Sequence, residues 1–513
     1  MELNEILVKE GASINEYYTQ KAREIAKFMK EKLGLSFDNA EFRLVNNDDM
    51  AESMATYGDP LPTWSTGQNY LISRTEMMDL HYSLYEMVGH YTYDSFSPER
   101  KFIVYINKSN REHEVLGVIA HVYGHLHMDK NNFVCADNLA DLSKHATFRR
   151  RYRKLEELVG EKEVERVFDL GQTLAGLIDL YPTSRTEKKP EYYSTEKDSP
   201  MHDEYDVFDF ILKNVNMLPW EKEVLEMVKE IYSTYRTVRV KIMHEGFASF
   251  VQEKYAEEVS KTDIDMGLKM HELLYAIANP LNDSQMPYAL GLRLFKDIEK
   301  RWNEGKHGLV YSQLPRQDRL EYKIDEGKGI EKVLDITRSC TDWDFIFKYC
   351  DEDFLDKYTK ETLDMYEVEL RREAMEKDEK YEKSWWYRWV MKWIRERTDP
   401  EDLKLELLTK TESYSPTVYI PKGGFNNLEG LTLKQDLSVL DRYVNSIDPD
   451  KREEEMAEVK ARFAPQITVT NSFTYAAISR ISNFIKLPVR LQTIDEGGND
   501  VTIVADGDNV YEE

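Results

Sequence analysis

Residues 116–132, LGVIAHVYGHLHMDKNN, decide how the rest of the chain is read. A strand-like run, Phe102-Ile103-Val104-Tyr105-Ile106, precedes them, and Val115, Val118, Ile119 and Val122 recur at helical spacing. The local order is therefore strand, short loop, helix. His121 and His125 fall one turn apart and share a helix face. With Val118 and Val122 beside them, both imidazoles point inward, where an unpaired ring nitrogen is costly. Two helical His at this spacing are a common way to present two nitrogens to one metal ion, zinc above all. The same spacing also suits a pair of core histidines satisfied by backbone carbonyls or carboxylates.

At 513 residues the chain is too long for one ordinary core, and 41% hydrophobic residues with 12% aromatics are ample for packed interiors. A net charge of −26 argues against a general nucleic-acid or anionic-membrane binder, because counterion release needs a basic face. The run Arg149-Arg150-Arg151 with Arg153 is the best local exception, and such a run is usually a solvated helix face. Cys135, Cys340 and Cys350 form no CxxC and no framework spacing, so reduced thiols are expected. The first residues show no basic segment followed by an apolar one, and no run approaches 18 apolar residues. A cytoplasmic protein with no integral membrane segment is expected.

Upstream of the central helix, residues 13–33 read as an amphipathic helix with apolar positions Ile14, Tyr17, Ile25, Phe28 and Met29. A turn-rich segment around TWSTGQNY and a helical stretch from Glu76 to Val88 follow. Downstream, residues 140–180 are helical, and 181–204, with three prolines, read as a long surface loop. Acid-rich helical runs occupy the region beyond 330. Trp385, Trp386, Trp389 and Trp393 fall at helical spacing among basic neighbours, a pattern that suits a packing face or a membrane surface. After Pro400, TVYIP, QITVT, PVRLQTI and VTIVADG read as strands, with a helix at 474–485. The expectation is a mainly α protein with a small mixed sheet in the N-terminal half and an α+β C-terminal domain. Its expected parts are a helical core over 1–330, an acid-rich helical connector over 331–410, and the small domain over 411–513.

The stretch KIMHEGFASFVQEKY is the second focus. Met243, Phe247, Phe250 and Val251 make one apolar stripe flanked by His244, while Glu245 falls on the other side with Ile242, Ala248 and Ser249. If that side is buried, Glu245 is an inward carboxylate with small neighbours that leave room for a ligand; if not, it is an ordinary surface acid. His271 lies on a face with Leu274, Tyr275 and Ala278, a setting more often occupied by a satisfied core His than by a ligand. HExxH, the Walker A loop, GxGxxG and GxSxG are absent. A di-iron site would need Glu-x-x-His repeats, and Glu112, Glu114 and Glu245 have no His three residues on.

Several blocks in order, AHVYGH with Asn131-Asn132, KIMHEGFAS, PYALGLRLFKDIEKRW, DFIFKYCDEDFLDKY and LPVRLQT, resemble the stage V sporulation protein R (SpoVR) family over roughly residues 60 to 500. The resemblance implies an association with spore cortex formation. Relatives in organisms that make no spores, often encoded beside a serine protein kinase of the ATPase type, imply a role in stress or envelope physiology and that kinase as a partner. His121, Tyr123, Gly124 and His125 match the family's HVYGH block. Glu245, Gly246, Ala248 and Ser249 match the block usually written NEGWAS or HEGWAS, and His271 falls where relatives also carry a His. This chain departs from the family at Thr63-Trp64-Ser65-Thr66-Gly67 (for His-Trp-Ser-Phe-Gly), at Met128 and Asp129 (for a Phe pair), at Met286 (for the Asn of NPY) and at Gln252 (for His).

The expected metal ligands are His121, His125, Glu245 and His271, and zinc, iron or manganese would suit them. With one position open, such a metal activates water for attack on an amide or ester carbonyl. Glu245 could then be the general base rather than a ligand, with Tyr123 or His244 donating to the oxyanion. A metal-dependent hydrolase acting on a peptide or cell-envelope amide is the leading expectation. The competing one is a regulatory or scaffold protein with a structural His/Glu cluster.

Overall fold

A computed structural model of the chain describes residues 14–46, 49, 87–93, 100–136, 143–179, 203–233, 240–281, 286–376, 404, 407–408, 418–437, 440, 457, 459–461 and 472–513. In chain order, α1 (Ile14–Leu33) and β1 (Asn39–Val45) are followed by β2 (Met87–Tyr93), β3 (Arg100–Asn107) and α2 (Glu112–Asn131). Next come α3 (Ser143–Val159), α4 (Glu161–Ala175), α5 (Val207–Asn214), α6 (Pro219–Ser233), α7 (Lys241–Ser260), α8 (Ile264–Ile277) and α9 (Met286–Asn303). The short α10 (Gly308–Ser312) and α11 (Arg316–Glu321) precede α12 (Gly329–Ser339), α13 (Asp342–Tyr349) and α14 (Glu352–Glu376). Finally β4 (Val418–Tyr419), β5 (Phe425–Asn426), β6 (Gly430–Gln435), α15 (Ser472–Ile485), β7 (Val489–Ile494), β8 (Asp500–Asp506) and β9 (Asn509–Glu512) appear.

The chain is thus mainly helical, with a small mixed sheet in its N-terminal half and an α+β C-terminal part, as expected. The helix expected over 76–88 is overturned at its end, because Met87 and Val88 open β2; its earlier residues lie outside the described ones. The TWSTGQNY segment, the tryptophan cluster, the QITVT run and all but the last two residues of the 181–204 loop also lie outside them.

Two compact units divide the residues. One comprises Met1–Asp59, Leu71–Leu142 and Val240–Lys404; the other comprises Pro60–Tyr70, Ser143–Arg239 and Leu405–Glu513. This differs from the three consecutive parts expected from sequence. The apolar face of the C-terminal sheet (Val418, Leu431, Leu433, Val489, Leu491, Ile503) is buried in one core with Phe168 of α4, Phe208 of α5 and Val224 of α6. A sheet face must be covered, and here the cover comes both from α15, through Ile478, Ile481 and Ile485, and from helices some two hundred residues earlier. In that sheet β6 and β7 are parallel, joined through α15, while β7, β8 and β9 form an antiparallel meander.

In the other unit the sheet order is β1-β3-β2, with β1 parallel and β2 antiparallel to β3. Helix α1 buries Tyr18, Ala22, Ile25, Met29 and Leu33, a stripe rotated from the expected one. Tyr17 turns aside because its hydroxyl donates to the Glu112 carboxylate, and Phe28 stands at the margin against Tyr255. Helix α7 packs on α2, α8 and α9. It is therefore buried nearly all round, with Phe247 and Phe250 fully buried against Phe295 of α9. Each such phenylalanine contributes about 2–3 kcal/mol by leaving water. No described helix is long and apolar enough to cross a membrane. Cys135, Cys340 and Cys350 are buried and free.

Candidate metal centre on helices α2 and α7

Glycines set the distance between the two helices that carry the site. A Cβ placed on Gly124 would lie 2.5 Å from the Cα of Ala248, and one on Gly117 would lie 3.1 Å from the Gln252 amide nitrogen. Both glycines therefore sit on the face of α2 that meets α7, and their lack of side chains lets the backbones approach. On the other side of α7, a Cβ on Gly246 would fall 2.3 Å from the Cα of Gly291 in α9. Helix α7 is gripped at the level of Glu245.

The first turn of α7 is fixed from outside the helix. Val240 offers no capping side chain, and Asp342, opening α13, accepts the N–H groups of Ile242 and Met243 through its two carboxylate oxygens, both at 2.8 Å. Orphan donors at a helix start require such partners. Glu245 follows two residues later, so its place depends on this cap.

Between these helices His121, His125 and Glu245 converge. Their ligand atoms all lie within 4.8 Å of one another. Glu245 Oε2 stands 3.5 Å from His121 Nε2 and 3.4 Å from His125 Nε2. These separations are long for hydrogen bonds but match the edge, about 3.4 Å, of a tetrahedron of donors around an ion at about 2.1 Å. Glu245 Oε2 and His125 Nδ1 are both buried, and among the described residues neither has a hydrogen-bond partner. A buried carboxylate oxygen left in that state is expensive, and a shared cation would satisfy it. The donor set therefore fits a divalent metal. The three side chains keep 12–18% of their surface exposed, so the group is largely buried.

Protonation states agree with that role. His121 Nδ1 lies 3.1 Å from the buried Gln252 side-chain oxygen, which fixes the proton on Nδ1 and turns the Nε2 lone pair toward Glu245. Burial, with His244 adding to it, pushes His125 down to about 4, so that ring is neutral near pH 7. Burial alone would raise the Glu245 carboxyl, but the surrounding imidazoles of His125, His121 and His244 outweigh it and hold the group well below the usual carboxylate range. A neutral His125 imidazole and an ionised Glu245 carboxylate are the forms that bind metal.

Of the other expected residues, Tyr123 and His271 lie elsewhere and His244 stands beside the group. Tyr123 points away, packed on Phe37 and Phe42 with its hydroxyl donating to the carbonyl of Ala22, so it is not aimed at an oxyanion beside Glu245. His271 stands half-buried on α8 and does not join the converging group. His244 is close: its ring stacks on His125 at 4.1 Å between centroids, and its Nε2 is 3.0 Å from Asp129 Oδ1. Burial disfavours its charge, yet the Asp129 hydrogen bond and carboxylate outweigh this and raise its pKa. Residue His127, three positions before Lys130, supplies a contrast. It is fully buried and fully satisfied, accepting from the Ser36 N–H at Nδ1 and lying 3.2 Å from Thr337 Oγ1 at Nε2.

Sequence reasoning did not assign Gln252, Asp129 or Asp342 to the site. Helical spacing held a signal for the first, since Glu245, Ser249 and Gln252 fall at i, i+4 and i+7. Asp342 lies about a hundred residues from the helix it caps, and no local pattern marks it.

A family model described as SpoVR like protein matches residues 14–199 and 177–393, a range that includes every residue of the candidate centre. No curated protein and no solved structure matches the chain.

Proposed function

The chain belongs to the SpoVR-like family, and from that premise we propose that it is a metal-dependent hydrolase in which His121, His125 and Glu245 hold one divalent cation. The observation that carries the reading is a buried carboxylate oxygen, without a hydrogen-bond partner among the described residues, at tetrahedral-edge distance from two Nε2 atoms. Zinc fits two imidazoles and a carboxylate best, and iron or manganese accept the same donors. With three protein ligands and one position open, such an ion supplies a water acidic enough to be a nucleophile at neutral pH and polarises a carbonyl.

The chain's own residues set the conditions for that chemistry. Gln252 keeps the His121 lone pair aimed inward. The Gly124–Ala248 contact keeps Glu245 within reach of both imidazoles. The Tyr288 ring stacks near His121, with centroids 6.1 Å apart, and gives the centre an aromatic neighbour. An amide or peptide substrate, a cytoplasmic setting and a kinase of the ATPase type as partner belong to the same reading through the family resemblance.

The test is hydrolysis of a panel of peptide and cell-wall amides by metal-loaded protein, with His125→Ala and chelator-treated protein as controls. Turnover lost in His125→Ala, with the fold retained, supports the hydrolase. Tightly bound metal without turnover, together with a sharp loss of thermal stability in His125→Ala, would instead establish a structural centre in a scaffold protein.

A further inference from the structure

The two histidines of the centre are held in different ways. His121 has the usual arrangement, its far nitrogen paired with Gln252 at 3.1 Å. His125 Nδ1 is buried and has no hydrogen-bond partner among the described residues. A ring with nothing on its far nitrogen is free to swing about its Cβ–Cγ bond, unless its faces are blocked.

Packing supplies the block. The His244 ring lies against His125 with centroids 4.1 Å apart and planes 22° from parallel. His244 is itself tied by its Nε2 to Asp129 Oδ1 at 3.0 Å. Asp129 sits one turn beyond His125 on α2, and His244 immediately precedes Glu245 on α7. The contacts thus run from α2 to α7 and back to α2, closing a clamp around the His125 ring. All four side chains are largely buried, with Asp129 and His244 retaining 14% and 15% exposure.

We propose that His244, anchored by Asp129, is the positioning residue that orients the His125 ligand by ring stacking, in place of the hydrogen bond His125 lacks. The proposal rests on the metal-binding reading for its consequence, but the orientation of His125 is a property of the metal-free chain as well. Stacking fixes the ring plane while leaving Nε2 directed at Glu245, which a hydrogen-bond partner of the wrong reach would not do. His244 does not touch the reacting atoms in this role.

The test compares His244→Ala, which removes the stack, with His244→Phe, which keeps an aromatic ring but loses the bond to Asp129. Zinc affinity is read by competition with a chromogenic chelator. The ring proton resonances of His125 in the metal-free protein, identified by their absence in His125→Gln, provide a second readout. His244→Ala is expected to bind zinc about 10–100-fold more weakly with an unchanged far-ultraviolet circular dichroism spectrum. Its His125 resonances should move as the ring current is lost, and broaden. His244→Phe should fall between wild type and His244→Ala in both readouts, because it keeps the stacked ring but loses the anchor to Asp129. Wild-type affinity and unmoved His125 resonances in His244→Ala overturn the proposal, as does a His244→Phe protein as impaired as His244→Ala. If the wild-type chain takes up no zinc, the metal-binding reading fails by itself, and the His125 resonances of His244→Ala alone decide whether the ring is positioned by the stack.

Discussion

Replacing Gly124 by alanine tests whether the close approach of α2 and α7 makes the site. The added Cβ would lie 2.5 Å from Ala248 Cα, 3.1 Å from its Cβ and 3.2 Å from its backbone nitrogen. Carbon atoms rest at about 3.5–4.0 Å, so the helices must part by about 1 Å at this point. Overpacking of that kind costs about 1–3 kcal/mol, and alanine's better helix propensity returns about 1 kcal/mol. The net loss of stability is therefore modest, about 0–2 kcal/mol by these same magnitudes. The metal site is far less tolerant. His125 is the next residue on α2 and Glu245 lies three before Ala248, so the 3.4 and 3.5 Å separations open with the helices. Metal–ligand distances tolerate only about 0.2 Å, and losing the support that positions ligands costs about 10–100-fold in metal affinity. Zinc affinity measured by chelator competition should fall by that order while the thermal midpoint of the metal-free protein moves by a few degrees. Gly176→Ala is the control, because nothing lies within 4 Å of its Cβ position and its φ of −68° suits any residue. Wild-type zinc affinity in Gly124→Ala would refute the idea that this contact sets the ligand spacing.

Three further outcomes follow from the same geometry. Tyr123→Phe removes only the hydrogen bond to the Ala22 carbonyl, so it should lower stability by about 0.5–1.5 kcal/mol and leave metal binding unchanged; a selective loss of metal or turnover would restore Tyr123 to the site. Asp342→Ala strands two buried N–H groups at the start of α7, at about 1–3 kcal/mol each, and urea unfolding should show a loss of several kcal/mol, with an effect below about 1 kcal/mol contradicting the cap. Burial pushes His127 down to about 4 from an unfolded value of 6.5, so the unfolded chain binds the extra proton between these limits. Its contribution is complete above pH 6.5 and is lost as pH falls toward 4, an effect of about 3 kcal/mol. Asp342, raised by burial to about 7 against its two amide donors, works in the opposite sense, favouring the folded state more as pH falls from 7 to 4. The comparison must therefore be with His127→Asn, which keeps an acceptor for Ser36. Metal-free wild type should lose stability more steeply than this variant between pH 6.5 and 4, and parallel profiles would contradict the assignment.

Much of the helical framework was legible because amphipathic spacing is local. The His121/His125 pair could be read directly, since i and i+4 share a face whatever the helix packs against. Glu245 was ambiguous for a physical reason: its side of α7 is buried only because α2, α8 and α9 all pack on that helix, and one helix's pattern does not reveal its neighbours. Tyr123 sits two residues from His121, which on a helix is the opposite side, and the HVYGH block joins in sequence what the helix separates in space. Its partners Phe37 and Phe42 come from before and within β1. The grouping of separated stretches into two units was hard to read for a related reason. The C-terminal strands show their alternation locally, and α15 is close to them in sequence, but the other helices that share their core lie before residue 239 and must be found by tertiary pairing.

The central claim is most directly tested by the metal content of the chain, purified without a metal-binding tag and measured by elemental mass spectrometry beside His121→Ala and Glu245→Ala. The account expects close to one zinc, iron or manganese per chain, lost in both variants while their helical content persists. A folded wild-type protein that carries no metal, and takes none up when zinc, iron or manganese is added, would contradict it.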